Sequence, residues 1–182
     1  VIGPNGAGKS TLFKAIFGLL PVRSGRIVLG GAETTGLRPR AMLAQGVCYI
    51  PQGRNIFPEL SVRHNLELGG VAFPDGARLG ARIDAMMERF PMLKEKARAQ
   101  AGTLSGGQQK LLEVARGLLL DPRLVLIDEP SIGLSPLMVA EVFGILKGLR
   151  DRGVTILMIE QNARAALQMS DYGLVLEQGV TR

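Results

Sequence analysis

Gly3-Pro4-Asn5-Gly6-Ala7-Gly8-Lys9-Ser10-Thr11 stands almost at the start of the chain and fits G-x-x-x-x-G-K-[ST], the loop that cradles phosphate groups. Val1 and Ile2 before it read as the end of a buried strand, and residues 12–20 after it as the start of a helix. Strand, glycine-rich loop and helix is the setting this motif requires. Gly3, Gly6 and Gly8 let the backbone turn its N–H groups toward an anion, and the positive end of the helix dipole adds to them. Lys9 is placed to reach the outer phosphates as a point charge, and the Ser10 hydroxyl to sit on Mg²⁺. A glycine-rich turn that binds nothing has no packing use for a lysine directly behind it. A phosphate ligand is therefore expected at Gly3, Asn5, Gly6, Ala7, Gly8, Lys9, Ser10 and Thr11.

Further along, Asp128 and Glu129 follow the uninterrupted apolar run 124–127, as in a parallel strand covered on both faces. They emerge at the carboxyl edge of the sheet, where open α/β sheets bind ligands. An Asp-Glu-Pro sequence is also a natural helix cap or solvated turn. Paired with the phosphate loop, it reads instead as a magnesium carboxylate, Asp128, and a base for an attacking water, Glu129. A second glycine-rich helix start occurs at Leu104-Ser105-Gly106-Gly107-Gln108. Ser105 is a natural N-cap, and the glycines leave N–H groups approachable by an anion. Taken alone, this stretch reads better as a capped helix with a flexible beginning.

Around these motifs the chain alternates strand and helix. Residues 26–29 read as a strand ending at Gly30-Gly31, and residues 46–50 as another closed by Pro51. A helix over 106–120, a strand over 124–127, a helix over 137–150, a strand over 154–159, a helix over 163–169 and a strand over 172–176 follow. That βαβ order predicts an α/β fold with a mostly parallel, wound sheet and a small antiparallel portion. From Ser61 to about Gln100 the character is helical. Leu66, Leu68, Leu79, Ile83, Met86, Met87 and Phe90 recur at roughly helical spacing, broken by Gly69-Gly70, Pro74 and Pro91. The expected organisation is a core of residues 1–60 and 102–182 with a helical subdomain over about 61–101.

With 182 residues, 46% of them hydrophobic, the chain can build one substantial core. It lacks an initiator Met, begins in mid-strand and stops at Thr181-Arg182, and it reads as truncated at both ends. No apolar run approaches the roughly 18 residues of a membrane span. The sole cysteine, Cys48, excludes an internal disulfide and is expected to be a small core residue. The sole histidine, His64, is expected at the surface. Net charge is +6, but the Lys and Arg residues are scattered among acids and aromatics are only 4%. A solvated surface is the expectation, with no nucleic-acid partner.

These motifs, in this order and spacing, resemble the nucleotide-binding domains of ATP-binding-cassette transporters over nearly the whole chain. Residues 3–11 match the family's phosphate loop, residues 104–108 its signature sequence letter for letter, and residues 124–129 its magnesium strand with catalytic glutamate. Gln52, after Pro51 at a strand end, matches the glutamine that touches the metal and senses the membrane subunits. The resemblance implies a P-loop NTPase fold and hydrolysis of ATP with Mg²⁺ held at Ser10, Gln52 and Asp128. It also implies two ATPase subunits facing head to tail. Each ATP would lie between one subunit's phosphate loop and Ser105, Gly106, Gly107 and Gln108 of the other, where ADP gains less from the signature. The helical subdomain would dock the membrane subunit. In the family an aromatic residue upstream of the first strand stacks on adenine; with no such residue in this sequence, weaker nucleotide binding than in a longer parent is expected.

Two positions depart from the family pattern. Glu160-Gln161-Asn162 stands where most members carry a histidine near the γ-phosphate, so Gln161 takes that place, able to donate a hydrogen bond but not to carry charge. Ser135 replaces the usual aspartate. Both bear on the rate of hydrolysis more than on binding. Glu-Gln-Asn-Ala at 160–163, Gly-Arg-Asn-Ile-Phe-Pro at 53–58 and Glu-Pro-Ser-Ile-Gly-Leu-Ser-Pro at 129–136 resemble the ATPase subunits of high-affinity branched-chain amino acid importers. Urea and short-chain amide importers share much of this wording. The implied partners are a second, different ATPase subunit, two membrane permeases and, indirectly, a periplasmic substrate-binding protein, with the chain peripheral on the cytoplasmic face of the inner membrane. Two alternatives stay open: a cassette ATPase without a membrane partner, and a regulatory module with little turnover. The short span between Gln52 and Leu104 speaks against the first, and the intact Glu129 against the second.

Overall fold

The alternation of apolar strands and amphipathic helices folds as one wound layer structure. In the computed structural model, which describes residues 1–71 and 76–182, the order is α1 (Lys9–Ile16), a hairpin of β1 (Val28–Leu29) and β2 (Ala32–Glu33), α2 (Pro39–Ala44) and β3 (Val47–Ile50). Helices α3 (Val62–Gly69), α4 (Gly76–Arg89) and α5 (Pro91–Glu95) follow, then a 3₁₀ turn (Ala101–Thr103) and α6 (Gly106–Leu118). The chain closes with β4 (Leu124–Asp128), α7 (Pro136–Arg150), β5 (Thr155–Ile159), α8 (Ala163–Met169) and a hairpin of β6 (Leu176–Glu177) and β7 (Val180–Thr181).

Strands β3, β4 and β5 lie parallel in that spatial order, with Ile50 opposite Ile127 and Asp128 opposite Ile159. The unbroken apolar run of β4 has a simple cause. Val125 and Ile127 face a core shared with α6 and α7, whereas Leu126 faces Phe13 and Phe17 of the α1 segment and Met42 of α2. Alternate residues of a strand point to opposite faces, and here both faces are covered.

Val1 and Ile2 extend this layer. Glu160 N donates to the Val1 carbonyl, Ile2 N to Leu174 O (2.9 Å) and Leu176 N to Ile2 O (2.9 Å), with Ile2 bridging Val175 in parallel. The phosphate-loop motif thus leaves a strand position at the same sheet edge as the ends of β4 and β5. Val1 and Ile2 are half-buried rather than buried, because only short segments flank them.

Other differences from the sequence expectations are local. Helix α1 begins three residues earlier than expected, at Lys9, because Gly8 (φ 95°) supplies the left-handed turn that starts it. The Gly30-Gly31 turn joins two strands, not one, since Val28 pairs Glu33. Of the segment 172–176, Tyr172 is 94% exposed and the inter-strand backbone bonds engage Leu174, Val175 and Leu176. Leu68 points to solvent, two residues from the fully buried Leu66 and so nearly opposite on α3. His64 is exposed and Cys48 buried, as expected. The core of α3 to α5, formed by Val62, Leu66, Ile83, Met86, Met87, Phe90 and Leu93, is continuous with the apolar face of α6. Pro74 lies outside the described residues.

Candidate functional site

The glycine-rich loop turns back on itself, with Ala7 N bonded to Pro4 O at 3.2 Å. Gly3 has φ 152°, and a Cβ there would stand 2.0 Å from the Leu176 carbonyl oxygen, so only glycine lets the loop leave the sheet at this point. No side chain caps the start of α1, which leaves its first-turn N–H groups directed at a ligand. Lys9, only 6% exposed, donates to Gly3 O (2.8 Å) and Pro4 O (2.9 Å). An ammonium has three protons, and these bonds fold the cation over the loop with one donor to spare.

Residues 5–11 line one wall of a cleft of about 340 Å³, and Gln52, Glu129 and Gln161 line the other. Gln52 Nε2 donates to Glu129 Oε2 at 2.6 Å, and Gln161 Nε2 donates to Glu129 Oε1 at 2.8 Å. Gln161 Nε2 also lies 3.4 Å from Asn5 Oδ1, bridging the glutamate to the loop. Glu129 is nearly buried (5% exposed), and its backbone sits at φ 48°. For a residue other than glycine that conformation costs of order 1–3 kcal/mol and is characteristic of functional positions. Glu129 N, donating to Ile159 O at 2.9 Å, pins the turn to β5.

Asp128, the last residue of β4, is 1% exposed, and its Oδ1 has no hydrogen-bond partner among the described residues. A buried carboxylate oxygen without a partner is costly and calls for a cation or water. Burial, and secondarily the Asp128 carboxylate, push the Tyr49 phenol up to about 12. Among the described residues no group of three His, Cys, Asp or Glu side chains could hold a metal. The donor set instead suits Mg²⁺, which needs only one or two carboxylates and completes its shell with other oxygens, phosphate and water. Asp128, the Ser10 hydroxyl and the Gln52 amide oxygen are the donors that fit.

Glu160 is a residue whose part the sequence did not signal. Buried at 2% exposure, it accepts from Ser131 Oγ (2.7 Å), Ser131 N (3.2 Å), Gln161 N (2.9 Å) and Asn162 N (3.1 Å). It thereby ties the turn after Glu129 to the turn carrying Gln161. An acid beside a strand end has no sequence pattern that separates this from a surface position.

Ser105, Gly106, Gly107 and Gln108 form the start of α6 and do not line this cleft. They make a capping box: Ser105 Oγ accepts from Gln108 N (3.4 Å) and Gln108 Oε1 accepts from Ser105 N (3.1 Å). The box satisfies the amides of Ser105 and Gln108 and leaves those of Gly106 and Gly107 without a helical partner. The structure thus gathers the loop, Gln52, Glu129 and Gln161 at one cleft, sets Asp128 in the adjacent strand end, and holds the second glycine-rich helix start apart.

The family described as ABC transporter matches residues 1–132. The chain is 42% identical to the high-affinity branched-chain amino acid transport ATP-binding protein BraG of Pseudomonas aeruginosa, over 98% of this chain and 76% of that protein. It is likewise 42% identical to the probable branched-chain amino acid transport ATP-binding protein LivF of Archaeoglobus fulgidus, over 98% and 76%. Identity is 34% to the lipopolysaccharide export system ATP-binding protein LptB of Escherichia coli, over 98% and 75%. A crystal structure of the ADP conformation of an ATP-binding cassette of an ABC transporter superposes with a TM-score of 0.86 at 28% identity, covering 100% of this chain and 76% of that one. A phosphate loop followed by an uncapped helix, a glutamate at the facing strand end and these likenesses agree: the chain belongs to the ABC transporter family, as an ATP-binding and ATP-hydrolysing cassette.

Proposed function

We propose that this cassette hydrolyses ATP at the cleft between residues 5–11 and Glu129 to power import of branched-chain amino acids. The observation that carries the hydrolytic part is the Glu129 carboxylate, each of whose oxygens accepts from a glutamine amide, 2.6 Å from Gln52 and 2.8 Å from Gln161. An amide donor fixes a carboxylate without protonating it, so Glu129 is kept as a base that can take a proton from water. The α1 amides and Lys9 bind the phosphates and gather negative charge as the terminal phosphoryl group departs. Gln161 does the orienting work that a histidine does in most of the family, with no charge of its own. Ser10, Asp128 and Gln52 would hold Mg²⁺, which supplies charge neutralisation at the outer phosphates.

Ser105, Gly106, Gly107 and Gln108 contact ATP bound to a second cassette, a reading that their separation from this chain's own cleft supports. The partner cassette is a different ATPase subunit, and two membrane permeases complete the transporter, with a periplasmic binding protein delivering the substrate. A groove of about 600 Å³ lined by Asn55, Ile56, Phe57, Leu68, Val71 and Arg116 suits the docking of a permease segment. Its apolar side chains are exposed (Phe57 49%, Val71 75%), and one side of it lies three to five residues beyond Gln52. Such a subunit is peripheral at the cytoplasmic face of the membrane; among the described residues no helix is long and apolar enough to cross it. The amino acid substrate rests on the names of the two relatives at 42% identity. The competing readings are a urea or short-chain amide importer and a cassette ATPase without a membrane partner.

The test is a transporter reconstituted in vesicles from the full-length chain, its partner ATPase and the permeases. Leucine uptake should require ATP, and urea should not compete. Glu129→Gln should lower phosphate release about 100-fold or more while ATP binding persists. Undiminished release would overturn the hydrolytic reading, and urea uptake without leucine uptake would overturn the substrate.

A further inference from the structure

Helix α6 carries two charges that the hydrolytic mechanism leaves unused. Lys110 and Glu113 are 5% and 3% exposed, one helical turn apart, and paired at 2.6 Å. A buried ion pair adds little net stability over apolar residues of similar volume, so packing does not account for its presence. The bonds it makes outside the helix suggest a purpose. Glu113 Oε1 accepts from Asn55 N, Lys110 Nζ donates to Gly53 O at 3.2 Å, and Arg116, one further turn along, donates to Asn55 O. Three side chains at i, i+3 and i+6 thus hold three backbone groups of residues 53–55. That segment has no ladder of its own, and Gln52 stands immediately before it.

We propose that Glu113, braced by Lys110, is a positioning residue that sets Gln52 against Glu129. Gln52 is exposed and reaches Glu129 across 77 residues of sequence, so its amide stays at 2.6 Å only if the backbone behind it is fixed. An apolar side chain at 113 would fill the space but could not accept from Asn55 N. The inference rests on the hydrolytic reading of the Gln52–Glu129 contact.

A double-mutant cycle in the full-length protein, assembled with its partner subunits, tests it. Glu113→Ala should lower kcat about tenfold and leave the Kd for ATP within about twofold, because an ordering contact is lost while the phosphate site is untouched. In a Gln52→Ala background the same change should cost less than about twofold, since the residue it positions is already gone. Additive losses, or an unchanged kcat in folded Glu113→Ala, would overturn the proposal. Should Glu113→Ala fail to fold, Lys110→Met with Glu113→Gln keeps an acceptor for Asn55 N and buries no unpaired charge. Its kcat should stay within about threefold of the parent, whereas a loss as large as that of Gln52→Ala would overturn the proposal. Glu129→Gln is run alongside. Full activity there removes the hydrolytic reading and this proposal together, and a normal loss there with additive Glu113 and Gln52 effects removes this proposal alone.

Discussion

Two residues show how the fold constrains single positions, one in its backbone and one in its reactivity. Glu129 adopts φ 48°, and the glutamines at 52 and 161 together with β5 hold it there. Its place at the strand end beside the phosphate loop was legible in the sequence, because two acids that end a run of four apolar residues seldom serve packing. The strain and the two amide partners were not, since Gln52 and Gln161 lie far away along the chain. Cys48 presents the opposite case. On β3 it packs against α6, and burial, with Arg116 opposing, pushes its thiol from 9.0 up to about 12. The fold therefore holds the proton more tightly than the unfolded chain does. Its contribution to stability is complete below pH 9 and is lost as pH rises toward about 12. At pH 8 native protein should resist iodoacetamide over hours, and denatured protein should react fully. Between pH 9 and 12 the urea midpoint should fall, as fluorescence or circular dichroism would record; fast native alkylation at pH 8 would contradict the buried position.

At the scale of elements, helix beginnings differ in whether a side chain caps their unpaired amides. Helix α1 starts on a glycine with no capping side chain, α6 starts with a capping box, and α7 starts on Ser135, whose hydroxyl accepts from Met138 N at 3.5 Å. The uncapped start faces the cleft, and the capped ones do not line it. Ser135 stands where the resemblance leads one to expect aspartate, and its capping bond gives that departure a structural content. Asp and Ser are comparable N-caps and alanine is poor. Ser135→Asp should therefore leave the unfolding free energy within about 0.5 kcal/mol, and Ser135→Ala should lower it by about 1 kcal/mol, measured by urea denaturation. Equal losses in both variants would show that the cap is not what Ser135 contributes. Strands 47–50, 124–128 and 155–159 and the long helices were legible because apolar runs and 3.6-residue spacing are local signals. The β1–β2 pairing and the ladder bonds of Val1 and Ile2 were not, because two-residue partners carry no period to detect.

For the whole molecule the decisive fact is a separation. The phosphate loop, Gln52, Glu129 and Gln161 share one cleft, while Gly106 lines a separate cavity beside Arg54, Ile132 and Gly133. In the proposed function each place is half of a composite site. A head-to-tail pair would then complete both at once, with ATP between one protomer's loop and the other's signature, and hydrolysis would remove the bridging γ-phosphate. A state joined by ATP is favoured only by as much as ATP binds it better than the separated state. Blocking hydrolysis should make that preference visible. Full-length Glu129→Gln, mixed with its partner ATPase and saturating Mg²⁺ and ATP, should elute as a dimer in size-exclusion chromatography and as monomers with ADP. Ser105→Glu, which puts a negative charge where the partner's γ-phosphate must approach, should abolish the ATP-dependent dimer while each chain still binds ATP through its own loop. A monomer that persists in Glu129→Gln with ATP bound, or a dimer indifferent to Ser105→Glu, would mean that the two helix starts do not share a nucleotide.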